Sequence, residues 1–451
     1  MDNPISHAPP ESVLGQLQRG RGAGYRSALA MPKAQVWPML VECITNDPRL
    51  DSQVEDRADY YANLVIETRM DLAPIKSHLQ DNDDDDENWG WNTRLTVEVL
   101  DELTKRGSTE TMDLLLEYLP WGTWWYRCIH TVIKHGNDTN RSRIAAALEK
   151  RFPNQETLAS ELNSADDGGD SWKLLSTYGK RIAKVIESVP ESATPLSTVV
   201  IPSSLSEMLD GANKQNRFIF AKAAQAVVTE SDVELLVGSV STDNPSRSYV
   251  AIRALEKLAP PDLFDWAVEE FQKSREYGLI RQSIIRLIKA MPADSTLPFA
   301  QSWIFATDTL YSGIAADLME LHATVEDIPL LQRAINLFLL DDEEYIYPLC
   351  NSLEALQRFP DFGRIPELED VFERFRYSYG RRLAALAMAT TSPDTFEFKY
   401  AIECLWDCDE GIRELGAKLC PIDDKAVRDR LLFLSLDPHE EEAVRAAARA
   451  R

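Results

Sequence analysis

The chain is short of positive charge. Forty-eight Lys and Arg stand against 73 Asp and Glu, a formal net charge of −25 over 451 residues. Such a field repels phosphate backbones and anionic membranes, so neither nucleic acid nor lipid is expected as a general partner. It favours a basic partner, or solubility alone. Cysteine is scarce too: Cys43, Cys128, Cys350, Cys404, Cys408 and Cys420 sit within apolar helical runs. That usage fits reduced, buried thiols rather than a disulfide framework. No apolar run approaches the ~20 residues that span a bilayer. Met1 to Val13 is polar, contains Pro9-Pro10 and has no basic stretch leading into an apolar core, so no secretory signal is expected. Together these place the chain in the cytoplasm.

Catalytic signatures are missing as well. The six His, at 7, 78, 130, 135, 322 and 439, form no grouping with a carboxylate and a nucleophile. The run Gly20-Arg21-Gly22-Ala23-Gly24 has neither the preceding strand nor the spacing of a phosphate loop, and reads as a helix-breaking turn. Cys404 and Cys408 are four apart on an expected helix, but no His is near enough to complete a zinc site, so they read as buried thiols. Asp81, Asp83 and Asp85 in DNDDDDE begin like a calcium loop. Asp86 then stands where Gly is needed and Asn92 where Glu is needed, which leaves a solvated acidic loop. The expectation is a protein that is not an enzyme and carries no cofactor or metal.

What the chain does have is a repeat. Ala221, Ala224 and Val228 mark one buried helical stripe. Ala251, Ala254, Leu255 and Leu258 repeat it, and so do Ile284, Leu287, Ile288 and Met291. Each stripe is followed by a break and a second apolar run: Val233 to Val237, Leu263 to Val268, Leu297 to Trp303. The pattern continues at Ile314, Leu318 and Leu321; Leu349, Leu353 and Leu356; Leu383, Leu386 and Ala387; Ile412, Leu415 and Leu419. It is present earlier at Trp37, Leu40, Val41 and Ile44; Ala62, Val65 and Ile66; Val99, Leu100 and Leu103; Ile129, Val132 and Ile133. Helix, turn, helix at a period of about 30–35 residues predicts an all-α chain and an α-solenoid. Residues 1–12 read as a flexible tail and 13–152 as an N-terminal helical segment. Residues 153–212 read as a degenerate repeat with a Pro/Ser/Thr-rich linker, and 213–451 as a C-terminal solenoid. Glu440 to Arg451 reads as a first helix without its partner, a cap or a docking edge.

Two constellations are candidate partner-binding surfaces. Asp47 to Tyr61 packs charges and two Tyr around a helix start, with Arg49, Asp51, Glu55, Arg57, Tyr60 and Tyr61 as its contact residues. The bland reading is a structural ion network, since Glu55 and Asp59 would share a face on a helix over Val54 to Glu67, as would Arg57 and Tyr61. The sharper reading is a hot spot, because Arg, Tyr and Trp are enriched in hot spots. The second constellation is aromatic: Trp89, Trp91, Trp121, Trp124 and Trp125 hold half of the ten Trp. Trp usually serves a core, but this density leaves rings over to line a groove.

The stretches Asp409-Glu410-Gly411-Ile412-Arg413-Glu414-Leu415-Gly416-Ala417-Lys418-Leu419, Ser248 to Leu258 and Glu442 to Ala448 carry a polar lead-in, an apolar–Arg pair and small and apolar residues at helix spacing. In this the chain resembles the HEAT-repeat, armadillo-like family over about three quarters of its length. The resemblance implies a superhelix whose concave helices bind proteins or peptides, and no single function. The expected function is a non-catalytic scaffold or adaptor for a protein or peptide partner of basic character. One alternative is a HEAT-like DNA glycosylase of the alkylpurine type, which the resemblance allows and the acidic balance disfavours. The other is a structural subunit of a larger assembly, or an oligomer joined through the C-terminal repeat edge.

Overall fold

The computed structural model describes residues 7–81, 91–164, 170–188, 200–241, 243–274 and 278–451. It is all-α: the described residues form 29 α-helices and short 3-10 turns, with no strand among them. The predicted stripes are the core. Ala224, Ala251, Leu255, Ile284, Leu287, Leu318 and Leu353 are fully buried, and so are Leu40, Ala62, Leu100 and Val132. Ile66 and Leu321 are the two members of those stripes that stay exposed.

Local chemistry sets the helix ends. The helix Lys33–Thr45 stops at the Asn46-Asp47-Pro48 turn, since Pro supplies no N–H to continue it. The helix Trp91–Lys105 stops at Arg106-Gly107, where Gly107 has φ +90°, a conformation costly for any residue with a Cβ. Ser108, Asn244 and Asp409 cap the helices that follow them by accepting from Thr111 N, Arg247 N and Ile412 N. Within the degenerate stretch two helices form, Asp170–Leu175 and Lys180–Ser188, parted at Thr177–Gly179.

Two compact units result. One, Thr194–Leu368, lies within a single stretch of chain. In it the helices Arg217–Val227, Pro245–Leu258 and Gly278–Ala290 pack in succession, and Thr309–His322 packs on Ile346–Leu356. The intervening helices Phe264–Lys273, Ala293–Trp303 and Ile328–Leu340 each pack on the helix that follows. The other unit joins two distant stretches, Met1–Ala193 and Glu369–Arg451. These bounds differ from those expected, because hydrophobic periodicity reports which residues are buried, not which distant stretch covers them. The helix Glu442–Arg449 is partnered. It packs on both Glu410–Leu419 and Lys425–Leu436, burying Val444, Ala447 and Ala448.

Candidate functional site

The two stretches of the discontinuous unit meet where glycine removes side-chain bulk. Gly20, at φ +69°, accepts from Cys408 N at 2.8 Å. A Cβ on Gly22 would overlap the carbonyl oxygen of Glu403. The turn between the helices Val13–Gln18 and Gly22–Ala30 thus carries the backbone against residues 403–408. Arg21 holds it there with a two-pronged pair to Glu403, at 2.9 and 3.1 Å. Arg19 donates to Arg374 O at 2.8 Å.

The charged stretch Asp47 to Tyr61 lies largely inside this junction. Arg57 is fully buried. It donates to Glu55 at 2.6 Å, to Arg376 O at 2.9 Å, and to Gln18 O. Glu55 also accepts from Ser378 N at 2.9 Å and Leu50 N at 2.8 Å. Burial alone pushes the Glu55 carboxyl up. Arg57 and the N–H groups of Ser378 and Asp51 outweigh that and hold it below the usual range. Tyr60 and Tyr61 are buried, and their hydroxyls donate to Arg21 O and Leu17 O. Arg49 is engaged by Asp47 and Glu98, and Asp51 accepts from Gln53 N. On the 369–451 side, Arg381 forks onto Asp407 and Arg413 onto Glu440, all buried.

The aromatic stretch divides. Trp124 and Trp125 are buried; the Trp125 ring meets Phe152 edge-on, with centroids 5.1 Å apart. Trp124 lies beneath two guanidinium groups, Arg94 at 5.2 Å and Arg127 at 5.7 Å. Those two Arg line a polar cleft of about 280 Å³ together with Arg49, Ser52, Glu98 and Asp101. So the two constellations do meet, through Arg94, but their polar groups are mostly paired to one another: Arg94 and Arg127 both reach Glu98. Trp121 is the exposed ring, at 43%, packed on Tyr118 and donating to Glu117 O. Trp91 opens the helix Trp91–Lys105. Trp89 and residues 82–87 of the acidic run lie outside the described residues.

All six Cys are buried and free, Cys404 and Cys408 among them. Among the described residues no three His, Cys, Asp or Glu gather as a metal site.

The open site is one that periodicity did not mark. The helix Lys425–Leu436 buries Val427, Leu431 and Leu434 on one face. On the other face it presents Leu432 (59% exposed), Phe433 (44%) and Leu436 (71%). Across from them, on the helix Ala58–Thr68, stands Ile66 at 47%. Between the two helices runs a groove of about 700 Å³, with Glu67, Asp429 and Asp437 on its rim alongside Arg106 and His439. Arg106 is already held by Asp59 and Glu102. The three carboxylates therefore dominate the rim. The run Leu431-Leu432-Phe433-Leu434 was a legible signal, since a helix apolar all round on a surface has two faces to cover. Exposed large apolar groups at this density mark interaction sites.

The fold and site define an all-α protein of packed helical hairpins with an acid-rimmed apolar groove. No protein-family model matches the chain, and no curated protein is significantly similar to it.

Proposed function

We propose that the chain is a non-catalytic interaction scaffold, a HEAT-like α-solenoid that seats a basic amphipathic helix of a cytoplasmic partner protein in the groove between Ala58–Thr68 and Lys425–Leu436. The observation that carries this reading is the joining of four exposed apolar side chains to a carboxylate rim. A helix laid there covers Ile66, Leu432, Phe433 and Leu436 with its apolar face and sets Lys or Arg against Glu67, Asp429 and Asp437. Each covered side chain contributes about 1–3 kcal/mol. Arg57, Tyr60, Tyr61, Trp124 and Trp125 are buried, so we rest the proposal on the exposed groove residues rather than on them.

A photo-reactive residue placed at Leu436 tests this, with the captured segment identified by mass spectrometry and then synthesised. The reading requires that segment to be a basic amphipathic helix of another protein. It also requires salt-dependent binding of the peptide that falls at least ~10-fold in Leu432→Asp/Leu436→Asp. Both substitutions are at exposed sites, so the variant folds. An acidic or extended segment, a segment of this same chain, or a peptide bound equally by the variant would overturn it.

A further inference from the structure

A second cleft on the discontinuous unit has the opposite charge. It encloses about 620 Å³ above the end of the helix Trp125–His135. That helix contributes His130, Lys134 and His135. Lys105 comes from Trp91–Lys105 and Arg141 from Asp138–Arg151. One carboxylate, Asp101, lies in the wall, and Lys105 Nζ holds it at 2.9 Å. In a chain with 25 surplus acids, five basic side chains from three helices converge on one space.

Helix-end chemistry explains part of this. Lys134 and His135 sit in a last turn, where cations offset the helix dipole. Arg141 donates to Ile133 O at 3.1 Å, closing that helix end. Lys105 is held at the same cleft by Asp101 at 2.9 Å and Glu102 at 2.6 Å, and His130 joins it from a turn earlier in the helix. Asp101 and Glu102 together outweigh Lys105, and the helix end carries about half a negative charge. Arg141 shares Asp138 with the Tyr178 hydroxyl. The balance of charge in the cleft is set by Lys134.

We infer that this cleft binds a phosphate group, with Lys134, His130 and His135 as its principal ligands and Arg141 and Lys105 behind them. The His135 imidazolium is disfavoured by burial and by Lys134, Lys105 and His439, with Asp101 opposing. A bound phosphate group offsets that repulsion and favours the charged form of His135. The phosphate can come from a free small molecule or from a phosphorylated side chain of a protein. Both present the same group to the same cations. This inference does not depend on the groove.

Calorimetric titration of the full chain with inorganic pyrophosphate, and separately with a short phosphoserine peptide, tests the assignment. The expected result is measurable binding at pH 6.5. It falls at least ~10-fold in Lys134→Glu, the loss expected for one charge-assisted contact. Lys425→Glu, which makes the same charge change at an exposed site outside the cleft, should leave binding unchanged. A preference for pyrophosphate identifies a small-molecule source, and a preference for the peptide a phosphoprotein. Selective labelling of imidazole carbons provides a second readout: His135 should titrate at higher pH with pyrophosphate present than without it. No binding of either probe at 10 mM, equal losses in the two Lys variants, or an unmoved His135 titration would refute the site.

Discussion

Replacing Arg57 by Met tests whether the buried charge network holds the unit together. Arg57 is wholly inside, and its guanidinium serves three acceptors: Glu55, Gln18 O and Arg376 O. Met fills similar volume but donates nothing. The Glu55 carboxylate is then stranded in the interior, a loss of about 3–5 kcal/mol for a broken buried pair. Two buried carbonyls also lose a donor, at about 1–3 kcal/mol each. These terms overlap, because the same cavity relaxes around all three. The expected loss is therefore about 4–6 kcal/mol, most of what holds an ordinary domain folded. Urea unfolding followed by circular dichroism measures it. Hydrogen exchange at Ser378, whose N–H donates to Glu55, shows whether the 369–451 stretch loosens first. The companion variant Arg57→Met/Glu55→Met removes the stranded charge and should recover at least ~2 kcal/mol of the loss. A single-variant cost below about 1 kcal/mol, or a double variant no better than the single, would refute the reasoning.

Three further outcomes are expected. Gly22→Ala should cost at least ~2 kcal/mol in urea unfolding, because its Cβ meets the Glu403 backbone, whereas Gly278→Ala, which meets nothing within 4 Å, should shift the transition by less than ~0.5 kcal/mol. A thiol reagent should find the six Cys unreactive in the native protein and all of them reactive in urea, since each is buried, and burial pushes the Cys43 thiol up to about 12. Asp409 is raised to about 6, chiefly by burial and also by Glu410 and Asp407 against the pull of Arg382. Its folded pKa lies above its unfolded one, so the native state keeps the proton longer. Its contribution is intact below about pH 4 and is lost as pH rises to about 6. Asn caps a helix as well as Asp does, so Asp409→Asn should be more stable than the wild type at pH 7 by about 1–3 kcal/mol, with the difference gone at pH 4.

Most of the helices were legible. A stripe such as Ile284, Leu287 and Ile288 can be buried in only one way, and the helix carrying it runs Gly278–Ala290. Stops were legible where a single residue decides them, as at Gly107 and Pro48. The pairing of distant stretches was not. Nothing in the local pattern of Arg57 or Glu55 says that one acceptor, Arg376 O, and one donor, Ser378 N, lie beyond position 370. The groove was missed for a related reason. Ile66 belongs to a stripe whose neighbours Ala62 and Val65 are buried, and periodicity cannot say that its end of the helix looks across at Leu432 and Leu436.

The two misses share one physical origin. Arg, Tyr and Trp mark partner surfaces because they combine large area with hydrogen-bonding ends and little entropy to lose. Those same properties suit any seam where two preformed surfaces meet. In this chain the seam is internal. Tyr60, Tyr61, Arg57 and Glu55 anchor the N-terminal helices to one another and to Arg376 and Ser378. Gly20 and Gly22 let the backbones approach. Interface-like composition therefore located a binding surface whose partner is the chain's own 369–451 stretch. A surface for another protein must remain soluble while empty, which disfavours a dense run of Trp and favours aliphatic groups ringed by acids. Ile66, Leu432 and Leu436 beside Glu67, Asp429 and Asp437 have that composition, and they flank the same seam. A helix bound across both of its sides would raise the stability of the seam by its own binding free energy, so occupancy of the groove and closure of the unit should report on each other.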